Sequence, residues 1–172
     1  ATQDSQLWKT AAISGKFSKN WKADLEQEFR IGDSMQQLYY QHTEFGVTRR
    51  LSSNLGVGLG YRHLYETRRG VWKEENRPAA HVTPTWECAG VKFSDRNRFE
   101  YRRRENASAM WRYRNKLTAD LPLKVAGTQP FFADELFVDL GEGKVNRNRF
   151  YAGLKIKLNS RLKTEVFYLW QT

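Results

Sequence analysis

Apolar and polar residues alternate along this chain with a period of two, over stretches of about ten residues that recur from one end to the other. Between Trp21 and Ile31, one side carries Trp21, Ala23, Leu25, Phe29 and Ile31, and the other Lys22, Asp24, Glu26, Glu28 and Arg30. Between Arg147 and Leu158, Phe150, Ala152, Leu154, Ile156 and Leu158 oppose Arg149, Tyr151, Gly153, Lys155 and Lys157. Successive side chains of a strand point to opposite faces, so this alternation predicts strands. Comparable stretches run from Leu7 to Phe17, Gln37 to Arg49, Leu55 to Tyr65, less regularly His81 to Val91, then Arg96 to Arg104, Trp111 to Leu117, Phe131 to Leu140 and Leu162 to Trp170. None carries a helical period, which predicts an all-β chain.

The strands read as successive hairpins. Turn residues stand at Ile31 to Ser34, Leu51 to Asn54, Glu105 to Ser108, Gly141 to Lys144 and Asn159 to Ser160. Two longer connections are predicted at Thr67 to Ala80 and Pro122 to Pro130, and Pro84 inside its stretch predicts an edge, a bulge or a break. A meander of this length curls and closes. The expected fold is an antiparallel up-and-down barrel of about 10–12 strands, one domain over residues 1–172. Closure takes an even number of strands with both ends on one side. A chain stopping at Gln171 and Thr172 therefore carries the expectation that a closing C-terminal strand is missing.

Alternation alone does not say which face turns inward: a soluble sheet hides its apolar face, and a membrane barrel hides its polar one. Three features favour the membrane barrel. The stretches match the length that crosses a bilayer at a tilt and exceed an ordinary strand. Aromatics gather toward stretch ends, as at Trp8, Trp21, Tyr39, Tyr40, Tyr61, Tyr65, Trp72, Trp86, Trp111, Phe131, Phe132, Tyr168 and Trp170, and Trp21, Tyr61, Tyr65, Trp111, Tyr168 and Trp170 are expected in an interfacial belt. Acids and bases also share the polar face, as a salt-bridged interior requires, while Gly56, Gly58 and Gly60 leave room on the face continued by Arg62.

Taken together, ADLEQEFRI (Ala23 to Ile31), GVGLGYRH (Gly56 to His63), RNRFEYRRR (Arg96 to Arg104), WRYRNKL (Trp111 to Leu117), DELF (Asp134 to Phe137) and NRNRFYAGLKIKL followed by EVFYLWQT resemble an uncharacterised family of bacterial outer-membrane β-barrels, domain of unknown function 2490. The likeness runs in order over nearly the whole chain. It implies a transmembrane β-barrel in the outer membrane of a Gram-negative bacterium, surrounded by outer-membrane lipid, and brings no activity or catalytic residue with it.

Composition agrees. The 172 residues are 40% hydrophobic and 14% aromatic, yet the mean hydropathy is -0.76, low for a soluble globule and natural for strands half polar and half lipid-facing. The start ATQDSQLW looks like a mature end after cleavage at a small residue. The formal charge of +10 raises a nucleic-acid partner. Phe99, Tyr101, Trp111 and Tyr113, however, fall on the face opposite the arginines, whereas stacking and phosphate contact need one shared face, so a soluble basic barrel binding nucleic acid is the lesser reading.

The arginines instead read as a lumen lining. The predicted network is Glu26, Glu28, Arg30, Arg62, Arg98, Glu100, Arg102, Arg104, Arg112, Arg114, Lys116, Glu135, Arg147 and Arg149, extended by Lys155, Lys157, Lys163 and Glu165. Guanidinium forks on carboxylates would fill much of a narrow bore and make a scaffold; a solvated positive surplus would make a small pore preferring anions. A lipid-modifying enzyme, the other alternative, needs a nucleophile beside a base, and His42, His63 and His81 have no serine in register, although His42 and Glu44 share a face that Arg62 can meet. No catalytic residue or cofactor is predicted, nor a metal site, since no two histidines fall two apart on one strand face. The lone Cys88 rules out an intrachain disulfide. Other envelope proteins are expected to dock, if at all, on the Thr67 to Ala80 connection through Trp72.

Overall fold

The computed structural model describes residues 6–32, 35–123, 127–157 and 163–172, with strand side chains described except at Arg68, Lys157 and Lys163. Ten strands are present: β1 Leu7–Lys16, β2 Trp21–Gly32, β3 Gln37–Ser52, β4 Leu55–Arg68, β5 Val71–Cys88, β6 Val91–Arg104, β7 Met110–Asp120, β8 Thr128–Asp139, β9 Lys144–Lys157 and β10 Lys163–Gln171. They form one antiparallel up-and-down sheet in chain order, β1 to β10, as the alternating pattern predicts. The ladder runs from Leu7↔Ile31 to Lys16↔Lys22 between β1 and β2, and from Gln171↔Arg149 to Lys163↔Lys157 between β10 and β9.

The Thr67 to Ala80 connection is not a loop. β4 runs to Arg68 and β5 starts at Val71, and the two residues between them have positive φ, Arg69 at 52° and Gly70 at 78°. Ala89 (50°) and Gly90 (78°) repeat this in the next hairpin. Two residues with positive φ make the mirror-image turn whose twist matches the flanking strands, and glycine adopts that conformation without a Cβ clash. Pro84 marks neither edge nor break: β5 continues through Pro78 and Pro84 between β4 and β6, each proline forfeiting one ladder donor. The turns at Ser53–Asn54, Glu105–Asn106 and Gly141–Gly143 stand where expected. Asp33, Ser34, Asn159 and Ser160 lie outside the described residues. Bulges fall between Arg30 and Ile31 against β3 and between Phe137 and Val138 against β9.

The chain divides into two compact units. One comprises Ala1–Leu51, Val57–Ala80 and Glu100–Trp111; the other Ser52–Gly56, His81–Phe99 and Arg112–Thr172. Both bury the charged side of their strands and expose the apolar side. In the first unit Glu28, Arg30, His42, Arg62, Glu75, Arg77, Glu100 and Arg102 are buried, while Ile13, Leu25, Phe29, Phe45, Leu59 and Tyr61 are exposed. In the second, Arg98, Arg112, Glu135, Asp139 and Arg149 are buried, while Phe99, Phe132, Phe150, Val166, Tyr168 and Trp170 are exposed. The extremes are telling: Glu100 is 0% exposed and Ile13 76%. The second unit also holds a small buried apolar cluster of Phe131, Ala133 and Tyr151, with Leu169 against it.

Candidate functional site: the buried charged face

In the first unit the network begins on β2 and its neighbours. The register sets Thr10 opposite Glu28 and Trp8 opposite Arg30. Arg30 Nε donates to Glu28 Oε1 at 2.7 Å, and Thr10 Oγ1 donates to the other carboxylate oxygen at 3.0 Å. The guanidinium of Arg30 lies between two rings, 3.7 Å from the Trp8 centroid and 4.1 Å from that of Tyr40. A planar cation stacks in this way at little desolvation cost. Trp8 and Tyr40, expected in the belt, thus face the network, and Tyr40 is buried; the bulge at Arg30/Ile31 shifts the register of β3 at this level.

Beside this stack, His42 Nε2 lies 2.9 Å from Glu26 Oε1, and its Nδ1 is 3.7 Å from Glu28 Oε1. Arg62 reaches Glu44 Oε2 at 2.5 Å, on the face it was expected to share with His42 and Glu44, and it also stands 3.7 Å from Glu26 Oε1 on β2. One ligand atom from each of Glu26, His42 and Glu44 falls within 4.8 Å of the others, which makes this the group most able to hold a metal among the described residues. The Arg62 guanidinium already supplies positive charge to both carboxylates, so the geometry is that of an ion-pair cluster. A search for paired histidines misses it because it holds one histidine and two carboxylates, drawn from two strands.

The third cluster of this unit centres on Glu75, placed by sequence in a connection. It is 2% exposed and accepts from Arg77 Nε at 2.6 Å and from Arg102 Nε and a terminal nitrogen at 2.5 and 2.9 Å. The last two are a bidentate fork. The period-two run Lys73, Glu75, Arg77 was the available signal, obscured by Pro78 and Pro84. Arg104 is half-buried and contacts Met110 Sδ.

In the second unit, Glu135 is the shared anion. Arg114 holds Oε1 through Nε at 3.2 Å and through a terminal nitrogen. Tyr151 donates to Oε2 at 2.7 Å, and Arg149 stands 3.7 Å from the same oxygen. Beside it Phe137, buried with the charges, has four guanidiniums around its ring: Arg112 at 5.2 Å, Arg114 at 4.9 Å, Arg147 at 5.7 Å and Arg149 at 4.9 Å. Lys116 lies 4.1 Å over Tyr151. Lys155 pairs with Asp120 at 2.5 Å and lies 5.2 Å from Phe131, which is buried here and not part of a belt. The role of Phe137 was not legible, because an aromatic inside a charged face breaks the binary pattern. Glu165 is exposed, and the side chains of Lys157 and Lys163 lie outside those described.

The exposed face holds the six aromatics expected at the interface: Trp21, Tyr61, Tyr65, Trp111, Tyr168 and Trp170 are all exposed. Trp72 is exposed too, on β5 and not on a loop. Phe99, Tyr101, Trp111 and Tyr113 pair across β6 and β7 within each unit, Tyr101 with Trp111 at 5.0 Å and Phe99 with Tyr113 at 5.2 Å, on the face opposite the buried arginines. His63 is held by Asn76 Oδ1 at 2.9 Å beside Tyr65. Among the described residues no helix is long and apolar enough to cross a membrane, which leaves crossing by strands open.

A family model described as Protein of unknown function (DUF2490) matches residues 5–172. No curated protein matches the chain. Among solved structures the chain is similar to LpxR from Salmonella typhimurium, at 9% identity and a TM-score of 0.49, over 87% of this chain and 77% of that one.

Proposed function

Because the chain belongs to the DUF2490 family, whose description names no activity, we propose its function from the burial pattern: it is an outer-membrane β-barrel whose charged lumen is a cross-linked structural core, so that the protein acts as a membrane scaffold. One observation carries this reading. Acids and arginines such as Glu75, Glu100, Glu135 and Arg98 are withdrawn from solvent while Ile13, Leu59, Val166, Tyr168 and Trp170 are presented. A protein folded in water would expose a large continuous apolar surface at great cost, whereas in a bilayer this surface meets lipid. The aromatics Trp21, Tyr61, Tyr65, Trp111, Tyr168 and Trp170 then anchor the barrel at the two interfaces.

A second reading, a narrow pore preferring anions, draws support from the crowd of four guanidiniums around Phe137 with Glu135 as the nearby acid. The same positive excess would favour phosphates or carboxylates in a confined path. Planar-bilayer conductance of the refolded protein under a salt gradient separates the two. Insertion without steady openings supports the scaffold. Openings with an anion-selective reversal potential, weakened in Arg102→Ala and Arg112→Ala, replace it with the pore, and a protein that stays soluble without detergent and never inserts overturns both.

A further inference from the structure

On the exposed face of the second unit, three neighbouring strands interrupt their apolar run at one place. In β6, Asp95 and Asn97 stand between Phe93 and Phe99; in β7, Asn115 stands between Tyr113 and Leu117; in β8, Asp134 stands between Phe132 and Leu136. The register sets Asn115 opposite Leu136 and Leu117 opposite Asp134, so Asn115 and Asp134 are diagonal neighbours. Asn148 on β9, opposite Leu136, closes the patch.

The donors of this patch are already used. Asn115 Nδ2 donates to Asp95 Oδ1 at 2.5 Å and to Asn97 Oδ1 at 3.1 Å. Asn97 Nδ2 donates to Asp95 Oδ2 at 3.1 Å and to its carbonyl oxygen at 3.2 Å. Asn148 Nδ2 spans both Asp134 oxygens at 3.1 and 3.2 Å, and the Tyr113 hydroxyl donates to Asn97. Acceptors remain, since an ionised carboxylate offers about four lone-pair sites. Among the described residues no lysine or arginine pairs with Asp95 or Asp134.

Asp95, Asn97, Asn115 and Asp134 have large apolar residues on both sides along each strand, which places them at hydrocarbon depth. Carboxylates facing lipid there are strongly disfavoured and mark functional surfaces.

We propose that this patch is a docking surface for another membrane protein, one whose bilayer-facing wall brings a lysine, arginine or amide donor on an otherwise apolar surface. The proposal rests on the barrel reading. A second copy meeting the same patch would set acceptors against acceptors, and a lipid ammonium sits at headgroup depth, so a donor-bearing protein wall is the occupant that fits.

The test uses the full chain in phosphatidylcholine vesicles. The probes are dansyl-labelled transmembrane polyleucine peptides with one lysine at the centre, one lysine at an end, or none. Energy transfer from protein tryptophan reports association. Polar pairs in membranes set the expected preference of the central-lysine peptide over the all-leucine peptide at about 5-fold, absent from Asp95→Asn/Asp134→Asn. Equal transfer for all peptides, a preference for the end lysine, or a preference that survives the double substitution overturns the docking surface. So does efficient disulfide cross-linking of Asn115→Cys between copies at high lipid ratio, which would make the second copy the occupant. Flotation with the vesicles is scored first: failure to insert sinks the barrel reading and this surface with it, whereas insertion without a central-lysine preference sinks the surface alone.

Discussion

Glu135→Gln is the most informative single change to the buried face. The carboxylate is 2% exposed and serves Arg114, Arg149 and the Tyr151 hydroxyl. Glutamine keeps the shape and one acceptor oxygen, so Tyr151 retains a partner, but the anion shared by two guanidiniums is gone. Removing one partner of a buried ion pair costs about 3–5 kcal/mol, because the other charge stays buried without compensation. The lower end applies here: Arg114 and Arg149 each keep the Phe137 ring at 4.9 Å. We expect a loss of about 3 kcal/mol, a large share of the stability of an ordinary domain. The assay is equilibrium urea unfolding in lipid vesicles followed by tryptophan fluorescence, with Glu142→Gln in the exposed β8–β9 turn as the control, expected within about 0.5 kcal/mol of the parent. Adding Arg114→Met to Glu135→Gln recovers part of the loss, since deleting both partners strands less charge than deleting one. A Glu135→Gln protein as stable as the control would show that water reaches this carboxylate freely, and the structural-core reading would fall with it.

Other perturbations probe separate joints of the sheet. A Cβ at Gly153 would run into the Val166 carbonyl oxygen and lie 2.6 Å from Phe167 Cβ, so Gly153→Ala should destabilise the β9–β10 pair by about 1–3 kcal/mol, seen as a lower urea midpoint; an unchanged midpoint refutes the close approach. Arg30→Lys keeps the charge but loses the Nε bond to Glu28 Oε1 and the plane held between Trp8 and Tyr40, and should cost about 1–2 kcal/mol with a shift in Trp8 emission; full stability with unaltered emission contradicts the stack. Cys88, exposed at the end of β5, should react in folded protein with a charged maleimide supplied on both sides of the bilayer. Protection from the reagent would put the Ala89–Gly90 turn inside the hydrocarbon.

The strand pattern was readable because the two faces differ so sharply. Trp21, Ala23, Leu25 and Phe29 against Lys22, Glu26, Glu28 and Arg30 leave no doubt about period or register parity, and nine of the ten strands follow from such runs, with β5 legible only in part. What misled was turn chemistry. Arg69–Gly70 and Ala89–Gly90 adopt positive φ without the Asn-Gly or Asp-Gly signature of such turns, and Pro78 and Pro84 weakened the strand signal next to them. The two-residue turn therefore reads in sequence as a fourteen-residue connection, which hides Glu75 and Arg77 from the network. The sites on Trp8, Tyr40 and Phe137 were hidden for another reason. An aromatic that serves as a cation platform looks in sequence like an aromatic in lipid, and only the register against Arg30, or the four arginines around Phe137, tells them apart.

Those aromatic platforms also bear on what the basic composition means. A formal charge of +10 first suggests an anionic partner, on the assumption that each arginine beyond the acid count needs an anion from outside. Two devices in this fold reduce that need. One carboxylate serves two guanidiniums, as Glu75 does for Arg77 and Arg102 and Glu135 for Arg114 and Arg149. The faces of Trp8, Tyr40, Phe137 and Tyr151 take further cations, because a ring quadrupole attracts a delocalised, weakly hydrated cation without carrying charge itself. Arginine supports this arrangement better than lysine, whose compact ammonium holds its water more tightly. These two devices let the buried face hold more guanidiniums than carboxylates, as around Phe137, where four guanidiniums stand beside the single carboxylate of Glu135.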